Sequence, residues 1–511
     1  MTSFRPTRGP VLAAAVTAVL SLAAPPALAA GGADRPAAVP PGAAPTAQAN
    51  PKPKPKPQTK PDDFDGDGYR DIAVAAPSGT VNGVVRAGHV SVLYGSKSGA
   101  PYQRRQLFHQ DLPGVPGGAE TGDGFGEALA TGDLDRDGYT DLIVGTPGED
   151  IGSIGPEAGT VVVIWGGRKG LAGSATLMVG PGPHLGAGKH LAVGDFDGDG
   201  DHDLATAEGG GAVVALSGPF GRDGSRSGRA HLENGTYFIT GLATGDIDRD
   251  GRADLVGLRH HTDEPDSRHL VVWKGGPRGA GPGHRVITGT NGLNVPGGDN
   301  LDMGDVNGDR FADIVMGRRD GYDSDLDLPR AKGGMVTVVP GSAQGAQGTK
   351  ATQLNQDSPG IPGAAVHGDY FGSGISVADI DGDGYEDVSA GIVGKDVDGL
   401  DGAGAVVTLR GSAKGLTGAG ARLFSQSTPG VPGASERFDR FGANTRLLDL
   451  DGDRRAELIT AATGENERAG ALWVFRATRT GITASGSVTF GNGTLGAVAA
   501  PGSELGRTFG R

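Results

Sequence analysis

The sequence predicts an all-β protein, a seven-bladed β-propeller with four-stranded blades, and three observations carry that prediction. A nine-residue acidic motif occurs seven times, short β-branched runs flank its copies, and the final residues repeat a lead-in segment that the first copy lacks. Composition agrees. The 511 residues include 95 glycines and 33 prolines without a Gly-X-Y period, which suits short strands joined by tight turns rather than collagen.

The propeller is expected over 61–511. Ahead of it, Arg5 and Arg8 precede an apolar run from Val11 to about Ala24, and Ala27-Leu28-Ala29 offers a small-x-small cleavage site. That order is the order of a secretory signal peptide, here 1–29. The run is too short to span a bilayer, and no later segment is apolar enough to do so. Residues 30–60 are rich in Pro, Ala and Lys, and their alternating Pro-Lys stretch favours an extended polyproline linker. It reads either as a spacer or basic foot on an anionic wall, or as a solvated leader. An exported chain with no cysteine needs a staple other than disulfides, and bound metal is the obvious substitute. The expected location is extracellular, free or held at a cell wall.

The seven motif copies are DFDGDGYRD (63–71), DLDRDGYTD (133–141), DFDGDGDHD (195–203), DIDRDGRAD (246–254), DVNGDRFAD (305–313), DIDGDGYED (379–387) and DLDGDRRAE (449–457). A glycine-containing lead-in comes first, as in DGFGEALATGD (123–133), DYFGSGISVAD (369–379) and DRFGANTRLLD (439–449). An apolar run such as DLIVGTP (141–147) follows, then an alternating run such as GTVVVIWGG (159–167), then a more variable one. Period-two runs bounded by Gly, Pro and Asp are strands, so each unit holds four, with the acidic loop between the first two. Seven such sheets in one chain fit radial repetition, which disposes of exposed edges. The expected blades are 61–120 with 503–511, then 121–180, 181–232, 233–290, 291–365, 366–436 and 437–502. GSELGRTFGR (502–511) matches GDGFGEALAT (122–131), so the last residues are expected to complete the first blade and close the ring.

Carboxylates at positions 1, 3, 5 and 9 of such a loop, with the carbonyl of position 7, form an oxygen shell suited to a hard cation and favouring calcium over magnesium. The predicted calcium ligands are Asp63, Asp65, Asp67, Tyr69 and Asp71 in the first copy, and Asp133, Asp135, Asp137, Tyr139 and Asp141 in the second. The third offers Asp195, Asp197, Asp199, Asp201 and Asp203, the fourth Asp246, Asp248, Asp250, Arg252 and Asp254. Asp305, Asn307, Asp309, Phe311 and Asp313 form the fifth set, and Asp379, Asp381, Asp383, Tyr385 and Asp387 the sixth. Asp449, Asp451, Asp453, Arg455 and Glu457 complete the list. In the fifth and seventh copies Arg310 and Arg454 replace the position-6 glycine, Asn307 replaces an aspartate, and Glu457 ends the motif; calcium and a metal-free turn both stay open there. A helix-flanked EF-hand is excluded, because position 12 is Val74, Val144 or Ala390 inside an apolar strand. The carboxylates at positions 1, 3, 5 and 9 number 27 of the 60 acidic residues, so the formal net charge of −14 is explained by metal sites rather than by a basic partner. No basic face or aromatic-interleaved patch favours nucleic acid.

Phe125-Gly126, the D-x-D-x-D-G loop, and Val144-Gly145-Thr146-Pro147 or Val74-Ala75-Ala76-Pro77 together resemble the FG-GAP repeat of integrin α-subunit propellers, in a secreted, actinomycete-style bacterial form. The FG element is clear in copies two, six and seven, and Leu185-Gly186 is taken as its decayed form in copy three. The resemblance implies a seven-bladed propeller with calcium in the loops of one face and ligands engaged on the other. That face would include 148–158, 259–268, 320–332, 394–403 and 464–469. The family's partners do not carry over, because nothing here resembles the rest of an integrin chain.

The leading functional expectation is an extracellular binding or adhesion module for a protein or glycan, monomeric by default. The alternatives are a polysaccharide lyase or hydrolase working at the axial mouth, and a structural wall or matrix component. RHHTDEPDSRH (259–269) is the one loop with candidate acid–base residues, although an exposed polar loop accounts for it. YDSDLDLP (322–329) imitates half a calcium loop. GPHLGAGKH (182–190) fails as a phosphate loop, since Pro183 and His190 stand where glycine and Ser/Thr belong.

Overall fold

A computed structural model describes residues 60–99, 104–261, 264–290, 292–319 and 332–511. The leader and nearly all of the linker, YDSDLDLP, and all but one residue of the 320–332 loop lie outside those residues. The chain divides into units Met1–Pro55 and Lys56–Arg511, and the description below concerns the second.

Seven separate four-stranded antiparallel sheets make up this unit. Each takes its strands in sequence order except the first, where Thr508–Phe509 forms the innermost strand beside Ile72–Ala76, His89–Leu93 and Arg105–Phe108. Val74 pairs with Phe509 and Ala75 with Thr508. Gly506 N–H donates to Ala75 O (3.0 Å) and Gly510 N–H to Ala73 O (2.9 Å). The final residues therefore close the ring, as their likeness to 122–131 predicts. The first strands of successive sheets pack side by side all the way round. The fold is a seven-bladed β-propeller.

The second and third strands are almost wholly buried, which is why they read as continuous apolar runs. Their side chains do not form one central core. They form seven clusters, one at each seam between neighbouring blades, such as Phe64, Val92, Phe125 and Leu142 between blades 1 and 2. No blade can bury its faces alone, so the repeat number and closure determine stability.

The acidic loop joins strands 1 and 2 in blades 2–7 and leads into the second strand in blade 1, and the described third-to-fourth connections lie at the same end. The second-to-third connections and those between blades lie at the other. One expectation is corrected here. The described residues of 259–269 belong to strands rather than to an open loop: Asp254–His261 and Glu264–Trp273 extend as a long hairpin. Tyr237 and Phe238 pair opposite His261 and His260, so the three strands lengthen together instead of releasing a loop.

Candidate functional site: the acidic loops and the opposite face

Within each acidic loop, aspartates first organise backbone. In blade 6, Asp379 accepts hydrogen bonds from the amides of Gly382 (2.6 Å) and Gly384 (3.0 Å). Asp381 accepts from Asp383 N–H (3.2 Å) and Asp383 from Tyr385 N–H (3.0 Å). Positions 4 and 6 both hold positive φ in all seven loops, including at Arg136, Arg249, Arg310 and Arg454. The position-6 requirement was readable from the glycines; Arg310 and Arg454 meet it without one, with φ of 73° and 70°.

The ninth residue is a clamp. Asp387 accepts from Ile380 N–H (3.1 Å) and from Gly411 N–H at the end of the third strand (2.8 Å). Asp71, Asp141, Asp203, Asp254, Asp313 and Glu457 make the same pair of bonds in their blades. Asp387 Oδ2 also accepts from Arg410 Nη1 (3.1 Å), while Asp387 Oδ1 keeps a lone pair free. Burial, and then the neighbouring loop aspartates, push these acids up: Asp71 to about 9, Asp141 and Glu457 to about 8, Asp313 and Asp387 to about 7. Burial likewise lifts Asp203 and Asp254 to about 6.

The structure brings oxygens of Asp63, Asp65 and Asp71 within 4.8 Å of one another, and likewise Asp133, Asp135 and Asp141. The same holds for Asp195, Asp197 and Asp199, for Asp246, Asp248 and Asp250, and for Asp379, Asp381 and Asp387. Asp248 Oδ1 and Asp449 Oδ1 are buried with no hydrogen-bond partner. An all-oxygen donor set, orphaned buried carboxylate oxygens and acids raised by burial fit a hard divalent cation. In the fifth loop Asn307 Nδ2 instead donates to both oxygens of Asp313 (3.3 and 3.2 Å), a smaller charge for the same clamp.

Two features escape the motif. Cationic side chains from neighbouring segments reach into the loops: Arg104 onto Asp65, Arg222 onto Asp135 and Asp137 (2.6 Å each), Lys274 onto Asp248, and Arg410 onto Asp381. Lys274 and Arg410 follow the alternating run directly, so their register was a readable signal. Second, the position-7 side chain of each loop covers position 4 of the loop before it. Tyr139 lies over Gly66, Arg252 over Gly198, Tyr385 over Gly308, Arg455 over Gly382 and Tyr69 over Gly452. Where position 4 is arginine the partner changes accordingly: Arg136 approaches Asp201 (3.8 Å), and Arg249 stacks on Phe311 (5.6 Å to the ring centroid). Backbone bonds run in parallel, such as Thr140 N–H to Asp63 O (3.1 Å) and Ala456 N–H to Asp379 O (2.8 Å). The loops form a continuous splice around one face.

On the opposite face the lead-in phenylalanines dock on the preceding blade. Phe125, Phe371 and Phe441 donate their N–H groups to Ala87, Gly333 and Ala403. The next glycine packs backbone to backbone: a Cβ built on Gly145, Gly317 or Gly391 would overlap the carbonyl oxygen of Gly188, Gly372 or Gly442. In blade 3 the residues in this role are Ala187-Gly188, with Ala187 N–H on Ala158 O (3.0 Å), so the assignment of Leu185-Gly186 is two residues out of register. A small residue at 187 hid the element from a search for an aromatic or leucine.

This face opens into a cavity of about 1070 Å³ around the axis, lined by Arg319, Tyr370, Asp396, Phe438, Arg440 and Arg507 among others. Arg511 crosses the axis and donates to Leu301 O (2.9 Å) and Ile375 O (2.6 Å). Eight large hydrophobic residues are exposed among the described residues: Val85, Val179, Phe238, Leu293, Val366, Tyr370, Phe438 and Val498. All eight lie at the end away from the acidic loops.

Parts of this seven-bladed propeller are similar to a known repeat family. The FG-GAP repeat profile matches residues 61–93 and 125–164, and the FG-GAP-like repeat profile matches 195–257. The chain is 34% identical over 144 residues to phosphatidylinositol-glycan-specific phospholipase D of Rattus norvegicus, covering 28% of this chain and 17% of that protein. It is 29% identical over 227 residues to integrin alpha-PS2 of Drosophila melanogaster (41% and 15%), and 41% identical over 87 residues to human integrin alpha-IIb (17% and 7%). It thus spans less than a fifth of these relatives' length. A solved exotype rhamnogalacturonan lyase, YesX, superposes with a TM-score of 0.39 at 14% identity, over 86% of this chain and 75% of that one, too loosely to carry an argument. Among the described residues no helix is long and apolar enough to cross a membrane.

Proposed function

We propose that this propeller is an extracellular, calcium-stapled binding module that engages a protein or glycan through the face opposite its acidic loops. The observation that carries this reading is the segregation of the exposed large hydrophobic residues, all eight of which lie on that face, with Tyr370 and Phe438 lining the open mouth. Aromatic and arginine side chains at the rim of a concavity suit recognition, as Tyr370, Phe438 and Arg440 do here. Tyr370, Phe438 and Arg440 also hold positive φ (59°, 64° and 59°), a local strain compatible with side chains selected for presentation.

The loops serve as the staple. Calcium would be held by the position 1, 3, 5 and 9 side chains named above, and its charge would keep ionised the acids that burial otherwise protonates. Arg104, Arg222, Lys274 and Arg410 would swing aside or remain as outer partners. The relatives named above include integrins, and the secretory leader read from 1–29 supports an extracellular setting.

The enzymatic alternative depended on the histidines of 259–269. His260, His261 and His269 belong to an extended hairpin, and they are not among the residues lining the mouth. The test is a glycan and matrix-protein array probed with the labelled chain, followed by Tyr370→Ala/Phe438→Ala. Loss of the hits with an unchanged melting temperature is expected. Retained hits, or turnover of a glycan that the double variant abolishes, would reject the binding reading.

A further inference from the structure

Three seams carry nearly the same sequence on the face away from the acidic loops: QDLPGVPG (110–117), QDSPGIPG (356–363) and QSTPGVPG (426–433). Each begins with a buried glutamine, and Oε1 of Gln110, Gln356 and Gln426 has no hydrogen-bond partner. Each is followed by a buried aspartate, Asp123, Asp369 or Asp439. The third residue after the second strand then differs between seams. It is Glu149 at the first, Lys395 at the second and Glu465 at the third.

At the second seam the chemistry is closed. Lys395 Nζ donates to Asp369 Oδ2 (2.8 Å) and to Ala364 O (3.3 Å), so an ammonium neutralises the buried aspartate. At the other two a glutamate stands in its place, and like charges face each other. Gln110 Nε2 donates to Glu149 Oε2, and Gln426 Nε2 to Glu465 Oε2 (2.7 Å), which sets each carboxamide in its cluster with the oxygen left over. A second acid appears with the first: Glu120 and Glu436 occupy the place of Val366, and their amides donate to Asp123 Oδ2 and Asp439 Oδ2 (2.6 Å each). Two seams therefore hold three acids and an orphaned buried amide oxygen. The second seam, where Gln356 Oε1 is likewise unpartnered, has exchanged both glutamates, for a lysine and a valine.

We infer that these two seams are cation sites: Asp123, Glu149 and Gln110 Oε1 between blades 1 and 2, and Asp439, Glu465 and Gln426 Oε1 between blades 6 and 7, each take one hard divalent cation of the calcium class, with Glu120 and Glu436 as outer carboxylates. The ammonium of Lys395 marks where the positive charge sits. An oxygen-only set with a neutral amide and several carboxylates suits calcium. A buried amide oxygen with no partner costs free energy that coordination recovers. Burial, and then the adjoining acids, raise Asp123 and Glu465 to about 7, as expected of a cluster short of positive charge. These sites lie on the face away from the acidic loops and do not depend on whether those loops hold metal.

The test is calcium bound per full-length chain, measured by equilibrium dialysis, with anomalous difference maps from crystals grown in calcium. E149K/E465K, which copies the middle seam, should bind two ions fewer than the wild type. V366E/K395E should bind one more. Unchanged stoichiometry in both variants overturns the inference. Should E149K/E465K fail to fold, E149Q/E465Q and the gain-of-site variant decide the matter. The maps separate the two claims: density in the acidic loops and none at Gln110 or Gln426 overturns this inference alone, and the reverse pattern overturns only the loop assignment.

Discussion

Ring closure rests on Leu505 and Phe509, which are 0% and 2% exposed and share one cluster with Ile72 and Val74 of blade 1 and Leu472 of blade 7. Removing their side chains leaves the backbone pairing of Val74 with Phe509 in place and hollows the seam behind it. A buried Leu→Ala change costs about 2–5 kcal/mol and Phe→Ala about 3–5 kcal/mol, the spread reflecting how far the walls collapse. Here the walls belong to two different sheets, each held by its own ladder, so Leu505→Ala and Phe509→Ala belong in the upper half of those ranges. Their effects will not add, because the two residues share one cluster. Unfolding entropy of about 2.1 cal/mol/K per residue over roughly 450 residues gives about 1 kcal/mol per degree, so each change should lower Tm by about 3–5 °C if the ring melts as one unit. The assay is scanning calorimetry in saturating calcium, with hydrogen exchange on Ile72–Ala76 and Thr483–Gly491 to detect opening of that seam first. Val498→Ala, exposed on the same segment, is the control and should stay within about 0.5 kcal/mol. If Leu505→Ala and Phe509→Ala are as mild as the control, the closure argument is wrong.

Gly391→Ala drives a Cβ into Gly442 O and should cost about 1–3 kcal/mol by urea melt, while Gly491→Ala, with open space around it and φ of −107°, should be near neutral; equal effects would contradict the seam packing. In metal-free protein the ninth-position acids are raised above their unfolded values, so their stabilising contribution is complete below about pH 4 and is lost as pH rises through about 6–9. The increment in Tm that calcium confers should therefore widen from pH 5 to pH 8, and a constant or shrinking increment would count against calcium taking the place of those protons. Asp387→Asn removes charge but keeps an acceptor, and should weaken calcium binding at blade 6 with the sheet intact, whereas Asp387→Ala should also lose the clamp on Ile380 and Gly411, about 1–3 kcal/mol more.

The repeat number, the strand order within a blade and the closure were legible because each left a pattern spaced along the chain: seven motif copies, alternating runs, and a displaced lead-in at the end. What was missed depends on neighbours across a seam. Position 4 reads as Gly or Arg without a rule until it is set against position 7 of the next copy, where Gly meets Tyr or Arg, and Arg meets Asp or Phe. Ala187-Gly188 was overlooked because the motif was sought as an aromatic, whereas the seam needs only a backbone amide and a following glycine. The histidines of 259–269 were placed in a loop because polar residues mask strand period, and the cross-strand partners Tyr237 and Phe238 lie far upstream of His261 and His260. The ninth-position acids were read as ligands from spacing alone; their second task, tying the first strand to the third, involves Gly95, Gly166 and their equivalents, which the motif does not contain.

The most direct test is the melting temperature of the full chain in chelator, in calcium and in magnesium at pH 8. Calcium at about 100 times its dissociation constant adds about 2.7 kcal/mol per site, so the five loops that gather three aspartates predict about 13 kcal/mol and a rise above about 10 °C. The account predicts that rise, reversed by chelator and not reproduced by magnesium. An identical melt in all three conditions would contradict it.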